Sequence, residues 1–151
     1  MKLAEALIER ADLQKKIAQL VSWMKQNVKV QEGDEPAEDI VHLMSQYEAL
    51  METLAALIVK INNTNGATPL GDMTLAEAIA RRDCLKSKLK IYRDLFDESA
   101  ITHDRYSRSE IKFVRCIAAA KLQGIIDRIS KEYRELDVKI QALNWATDMT
   151  E

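Results

Sequence analysis

Two histidines and two carboxylates are the residues of this chain that could bind a metal ion. Glu38 and His42 stand four positions apart, which places them on one face of a helix. His103 and Asp104 are adjacent in a later turn, and the turn could bring them to the first pair. A metal site needs three or more converging ligands, and each pair alone supplies two. Two interpretations are open at this stage: the four residues form a weak metal site, or the two histidines are ordinary surface residues.

Two arginines, Arg10 and Arg82, occupy core-facing positions of predicted helices. A buried guanidinium is costly unless a carboxylate pairs with it. The adjacent Glu9 and Asp83 are expected to point away from the core, so we expect acids on the partner helices to pair, namely Glu48, Glu52, Glu132 or Glu135. The arginines then form a polar layer that fixes register or lines a central site. Alternatively, each side chain extends along the apolar surface and reaches water.

No sequence motif of an enzyme or a nucleotide-binding protein is present. The chain contains no Gly-rich phosphate loop, no Gly-x-Ser-x-Gly and no His-Glu-x-x-His. Cys84 and Cys116 do not form a Cys-x-x-Cys unit, and we expect two small buried or half-buried thiols. The sequence therefore predicts no catalytic residues and no cofactor.

Two turns of opposite charge are the strongest candidates for an interaction surface. The first is acidic and the second basic, with Tyr106 between two arginines as a possible interface anchor. We expect the turns to pair within the molecule or between subunits, although simple solvated loops would look the same in sequence. The predicted interaction surface consists of Glu32, Asp34, Glu35, Arg105, Tyr106, Arg108 and Lys112.

An internal duplication organises the elements that carry these residues. With a shift of 72 positions, Leu3-Ala4-Glu5-Ala6 falls on Leu75-Ala76-Glu77-Ala78, and Arg10 falls on Arg82. With a shift of 79 positions, the apolar positions of the second predicted helix fall on those of the fourth. Apolar residues recur at alternating spacings of 3 and 4, which is a heptad pattern, and Arg10 and Arg82 fill the one missing slot of the first and third predicted helices. Such self-similarity is typical of a repeated structural unit.

The predicted fold is an all-α antiparallel bundle made from a duplicated helical hairpin. We expect a single domain, 1–151, with hairpins at 1–65 and 74–147 and a linker at 66–73. The expected helices run from about Lys2 to Val28, from Ala37 to Asn63, from a capping box at Thr74 to near Ser99, and from Ser107 or Ser109 to Ala146.

Composition limits the class of protein. The chain of 151 residues has a formal net charge of -2, which argues against a general nucleic-acid binder. It begins without the basic and apolar regions of a signal peptide, and no apolar run reaches the ~20 residues that span a membrane. We therefore expect a cytoplasmic protein. A membrane is not the expected partner, but the sequence leaves that alternative open.

Four segments resemble a family of small, largely uncharacterised bacterial proteins, some of which are labelled septicolysin. These segments are the opening MKLAEAL-x-ERADLQ, the turn VQEGDEPAED, the linker Asn63-Thr64-Asn65 and the run DRYSRSEIKF at 104–113. The resemblance covers nearly the whole chain. It implies a cytoplasmic helical protein without established activity, and the septicolysin label implies a cytolytic toxin.

The sequence thus favours a non-enzymatic, self-associating helical scaffold or interaction protein whose protein partner is unknown. Membrane activity of the septicolysin kind is the first alternative. A metal-binding or enzymatic site at the charged end of the bundle is the second.

Overall fold

Four long helices make up most of the computed structural model, which describes residues 1–101 and 111–150. They are α1 (Leu3–Asn27), α2 (Ile40–Ala67), α3 (Leu75–Glu98) and α4 (Ala119–Ala146). Two short antiparallel strands, β1 (Pro69–Leu70) and β2 (Met73–Thr74), lie between α2 and α3. The prediction of an all-α protein with four long helices is confirmed.

The chain forms two compact units. The first comprises Met1–Ala76 and Gln141–Glu151, and it contains α1, α2 and the strands. The second comprises Glu77–Ile140, and it contains most of α3 and α4. Each unit is therefore built on one helical pair of the duplication. A single domain for the whole chain stays a prediction.

The heptad pattern correctly locates the core of each unit. In the first unit, Leu3, Leu43 and Ile61 are at most 2% exposed. In the second, Leu89, Ile126 and Ile129 form an apolar cluster, and Leu85, Tyr92 and Phe96 pack against it. Burying a Leu or Ile side chain stabilises a fold by about 1.5–3 kcal/mol, so these stripes hold each helix pair together.

The turn between α1 and α2 is tied to the end of α1 by Asn27. The Asn27 Nδ2 donates a hydrogen bond to the Trp23 carbonyl at 2.9 Å, and Asn27 Oδ1 accepts one from the Glu38 backbone N–H at 3.0 Å. α2 begins at Ile40, three residues after the predicted start, because Asp39 caps it by accepting the Val41 N–H at 3.0 Å.

α2 continues through the predicted start of the linker and ends at Ala67. The prediction of an end near Asn63 was wrong because Thr64, at a core-facing position, is fully buried and also bonds to the end of the chain, since its hydroxyl accepts the Thr150 N–H at 3.1 Å. The same hydroxyl donates to the Lys60 carbonyl at 2.8 Å. The strands then close a two-residue turn in which Gly71 has φ of +61°.

α4 begins at Ala119, so the predicted start at Ser107 or Ser109 was wrong. Both serines lie outside the described residues, but residues 111–118 are described and are not helical. This segment is rich in β-branched and aromatic residues, namely Ile111, Phe113, Val114 and Ile117, which are weaker helix formers than Ala or Leu. The predicted end at Ala146 is confirmed.

The first and last turns of the first unit are joined directly. The Leu3 N–H donates to the Thr147 carbonyl at 2.9 Å, and the Met149 N–H donates to the Met1 carbonyl at 2.9 Å. The Lys2 ammonium lies 2.9 Å from Asp148 Oδ1. These bonds fix the start of α1 against the end of α4.

Candidate functional site

The acidic turn of the sequence prediction continues into exposed apolar residues at the start of α2. The acidic surface, as we define it, consists of exposed residues in this turn and in the first turns of α2. They are Glu32, Asp34, Glu35, Glu38, Val41 and Met44. Val41 is 69% exposed and Met44 is 51% exposed. Its four acids form no ion pair with any residue that the structure describes. This surface therefore offers carboxylates that form no ion pair in the described part of the chain, beside exposed apolar groups.

The described part of the basic turn also combines charge with exposed apolar residues. We define the basic surface as the exposed segment Ile111, Lys112, Phe113, Val114 and Arg115. Ile111, Phe113 and Val114 are 87%, 85% and 79% exposed. The Arg115 Nε donates to the Ser99 carbonyl at 2.8 Å, which anchors the segment to the end of α3. Two cations thus alternate with three almost fully exposed apolar side chains.

A cavity of about 710 Å³ adjoins the basic surface between the end of α3 and the start of α4. Leu95 and Leu122 line its helical sides, Ile117 lines it from the segment before α4, and Phe113 and Val114 reach it from the basic surface. The predicted interaction residues Arg105, Tyr106 and Arg108, and the predicted metal candidates His103 and Asp104, lie outside the described residues.

Formal charge is divided unevenly between the two units. The first unit carries seven basic and thirteen acidic residues, which gives a formal charge of -6. The second carries fifteen basic and eleven acidic residues, which gives a formal charge of +4. The acidic surface belongs to the negative unit and the basic surface to the positive unit. Complementary charges favour association between such surfaces and steer it.

Arg82 pairs with two aspartates. Its Nη1 lies 3.0 Å from Asp137 Oδ1, and its Nη2 lies 3.0 Å from Asp83 Oδ1. Burial lowers the pKa of Arg82, but the hydrogen bonds to Asp83 and Asp137 outweigh it and raise the pKa above its ordinary value.

The predicted partners were wrong. Glu132 and Glu135 lie beside bases of their own helix instead, at 4.0 and 3.9 Å from Arg128 and Lys131. Asp83 pairs because the guanidinium extends to the edge of the apolar stripe, where Asp83 lies.

Arg10 has a different environment from Arg82. It is half-buried on α1, and it makes no hydrogen bond or ion pair with a described residue. The predicted pairs with Glu48 or Glu52 are not formed. A polar layer made from both arginines stays a prediction.

The structure brings Glu38 and His42 into no metal-binding group. His42 is exposed, and its Nε2 lies 3.1 Å from Gln46 Nε2. Within residues 1–101 and 111–150, no three His, Cys, Asp or Glu side chains converge.

The prediction of buried or half-buried thiols was wrong, because Cys84 and Cys116 are both exposed. Cys84 lies on the outer side of α3, and Cys116 precedes α4.

A cleft of about 260 Å³ between α1 and the end of α4 has no counterpart in the sequence predictions. Asn144, which is 4% exposed, lines it together with Ile8 and Trp145. The Asn144 Oδ1 atom is buried and has no hydrogen-bond partner among the residues that the structure describes. A sequence signal did exist: Asn144 follows the core-facing Leu143, so a polar group borders the apolar stripe.

A family of unknown function, DUF6847, has a model that matches residues 10–149. The chain belongs to this family. A DUF6847 member is therefore expected to share the two helix pairs, because the match covers all four helices apart from the first turns of α1.

The fold of this DUF6847 protein also occurs in a solved structure. A crystal structure of a functionally unknown conserved protein from Corynebacterium diphtheriae is 42% identical, with a TM-score of 0.90. The alignment covers 99% of each chain. No curated protein matches. In the described part of the chain, no helix has both the length and the apolar character required to cross a membrane.

Proposed function

We propose that this protein is a non-enzymatic helical scaffold that associates with further copies of itself. The basic surface of one copy contacts the acidic surface of another. The exposure of Ile111, Phe113 and Val114, at 87%, 85% and 79%, carries the proposal. Soluble monomers rarely leave contiguous apolar side chains this exposed, and such patches mark interaction sites.

The acidic surface has the properties that the basic surface requires in a partner. Val41 and Met44 offer apolar contact, and the neighbouring carboxylates offer charge opposite to Lys112 and Arg115. The opposite formal charges of the two units, -6 and +4, support the same pairing. Because the two surfaces differ, the contact is heterologous, and copies can add in sequence or close into a ring.

Charge reversal tests this contact. We expect wild-type protein to form concentration-dependent oligomers in sedimentation velocity, and K112E/R115E to sediment as a monomer. A mixture of K112E/R115E with E32K/E35K should associate again, because the reversed charges are complementary. K121E/K139E, which makes the same charge change at two exposed lysines of α4, is the matched control and should behave as wild type. A monomeric wild type at about 100 μM would contradict the proposal, since a weaker contact would not support a scaffold.

Membrane activity of the septicolysin kind is the competing proposal. The alternation of cations with exposed apolar side chains on the basic surface also suits an anionic bilayer. A metal-binding or enzymatic site that joins Glu38 and His42 to His103 and Asp104 is the remaining alternative, and stoichiometric metal in purified protein would support its metal-binding form.

A further inference from the structure

We propose that the cleft beside Asn144 binds a small ligand that has an apolar body and one hydrogen-bond donor. The apolar body lies between Ile8 and Trp145, and the donor bonds to the Asn144 carboxamide oxygen. This binding site is independent of the self-association proposed above.

The Asn144 side chain supplies the first argument. It is 4% exposed, and its Oδ1 is the one buried side-chain oxygen or nitrogen without a hydrogen bond in the part of the chain that the structure describes. An unsatisfied buried acceptor costs about 1–3 kcal/mol, so a ligand that satisfies it recovers that free energy. The χ2 torsion of Asn is broad, and Asn144 lines the cleft, so a rotation about χ2 can bring this oxygen to the surface of the cleft.

The walls of the cleft determine the body of the ligand. Ile8 and Trp145 are 54% and 58% exposed on its two sides, and Ala4 and Ala11 leave room between them. The volume of about 260 Å³ exceeds the ~150 Å³ of an apolar cavity that holds benzene. A single substituted ring fits this space, and an indole face such as that of Trp145 stacks favourably on it.

The cleft is preformed by the backbone around it. The bonds from Leu3 to Thr147 and from Met149 to Met1, each 2.9 Å, hold α1 against the end of α4. The Lys2 ammonium adds a hydrogen bond to the Ala146 carbonyl at 3.2 Å. A ligand consequently binds with little loss of backbone entropy, which improves affinity.

The duplication shows that the large apolar walls of this cleft are not repeated in the other half of the chain. The shift of 79 positions places Gly66 opposite Trp145, and the shift of 72 positions places Ala80 opposite Ile8. The same shift of 79 places Asn65 opposite Asn144. The other half of the chain thus keeps the asparagine and lacks both large apolar walls.

Two matched probes test the site by ¹H–¹⁵N NMR of the full chain. We expect 4-methylphenol, which has a donor, to shift the Asn144 carboxamide and Trp145 indole signals saturably. We expect 4-methylanisole, which has the same ring without a donor, to bind at least about 5-fold more weakly, as the loss of one hydrogen bond implies. Equal binding of the two probes, or binding of neither, would overturn the inference.

Variants separate the two parts of the site. Asn144→Leu should bind both probes equally, because it keeps the apolar cleft and removes the acceptor. Trp145→Ala should weaken both probes several-fold and leave the fold intact, since Trp145 is largely exposed. Asn65→Leu is the control at the duplicated position and should bind as wild type. If Asn144→Leu still prefers 4-methylphenol, the acceptor is not Asn144 and the inference fails.

Discussion

The Nη1 atom of Arg82 lies 3.0 Å from Oδ1 of Asp137. The duplication places Ala11 at the position equivalent to Asp83, with a shift of 72, and Ile58 at the position equivalent to Asp137, with a shift of 79. Arg10, the counterpart of Arg82, therefore lacks both carboxylates. The two halves keep the arginine, and one half keeps its acids.

This difference predicts that the same substitution, Arg to Leu, changes the free energy of unfolding differently at the two sites. Arg82→Leu should lower the free energy of unfolding by about 1–2 kcal/mol, because it removes the ion pair with Asp137, whose side chain is 30% exposed. Arg10→Leu should change it by less than about 0.5 kcal/mol, or stabilise the fold. Urea denaturation of both variants measures the difference. Equal losses at the two sites would show that Arg10 has a partner of comparable strength.

The Lys2–Asp148 pair predicts a pH dependence of stability. The hydrogen bond and charge of Lys2 lower the pKa of Asp148 below its ordinary value of 3.8. The contribution of this ion pair to stability is therefore present above pH 3.8 and is lost as the pH falls through the lowered pKa of Asp148. Asp148→Asn should have a lower urea midpoint than wild type at pH 7 and pH 5, and the gap should close in acid. Glu48→Gln, at an exposed acid without an ion pair among the described residues, is the control and should show no gap.

The turn between β1 and β2 requires a residue that tolerates positive φ. Gly71 has φ of +61°, and nothing lies within 4 Å of an added Cβ. Gly71→Ala should therefore lower the free energy of unfolding by about 1 kcal/mol through backbone strain alone. Gly124 lies inside α4, also in open space, and Gly124→Ala should stabilise the helix by up to about 1 kcal/mol. Thermal unfolding compares the two. A loss at both sites would mean that steric contact, and not φ, decides the outcome.

Self-association through charged surfaces should weaken as salt rises. We expect the sedimentation coefficient of the wild type to fall between 50 mM and 500 mM NaCl, because exposed charges are screened over about 10 Å at 0.1 M salt and over less at higher salt. K112E/R115E should show no further decrease. Oligomers that resist salt would place the contact on apolar stripes instead.

Vesicle leakage separates the scaffold from a cytolysin. We expect no release of entrapped dye from anionic or sterol-containing vesicles at micromolar protein, because the scaffold proposal assigns the basic surface to a second copy. Release that K112E/R115E abolishes would replace the scaffold proposal with membrane activity through the same residues.

Heptad periodicity predicted the apolar core well, because a stripe of Leu and Ile at spacings of 3 and 4 has one way to avoid water in a helix pair. Leu43, Leu89 and Ile126 are buried as expected. Helix boundaries were harder to predict. Buried Thr64 continues α2 past two asparagines because it packs in the core and bonds to Thr150, and the β-branched segment before Ala119 delays α4.

The candidate sites were predicted less completely, since they depend on side-chain direction. Asp83 was expected to point away from Arg82, yet the long arginine side chain reaches it at 3.0 Å. The cleft beside Asn144 depends on contacts between the two ends of the chain, and no local pattern encodes such contacts. The acidic and basic surfaces could be located from charge, but the exposure of Phe113 could not.

The exposure of Cys84 and Cys116 gives the second unit two thiols that oxidants and maleimide reagents can reach. In air, disulfides between copies can form and imitate non-covalent association, so sedimentation needs a reductant or Cys→Ser variants. The same thiols are native attachment points for a fluorescent donor and acceptor. One thiol lies on α3 and the other just before α4, so energy transfer between them would report the opening of that helix pair without any engineered cysteine.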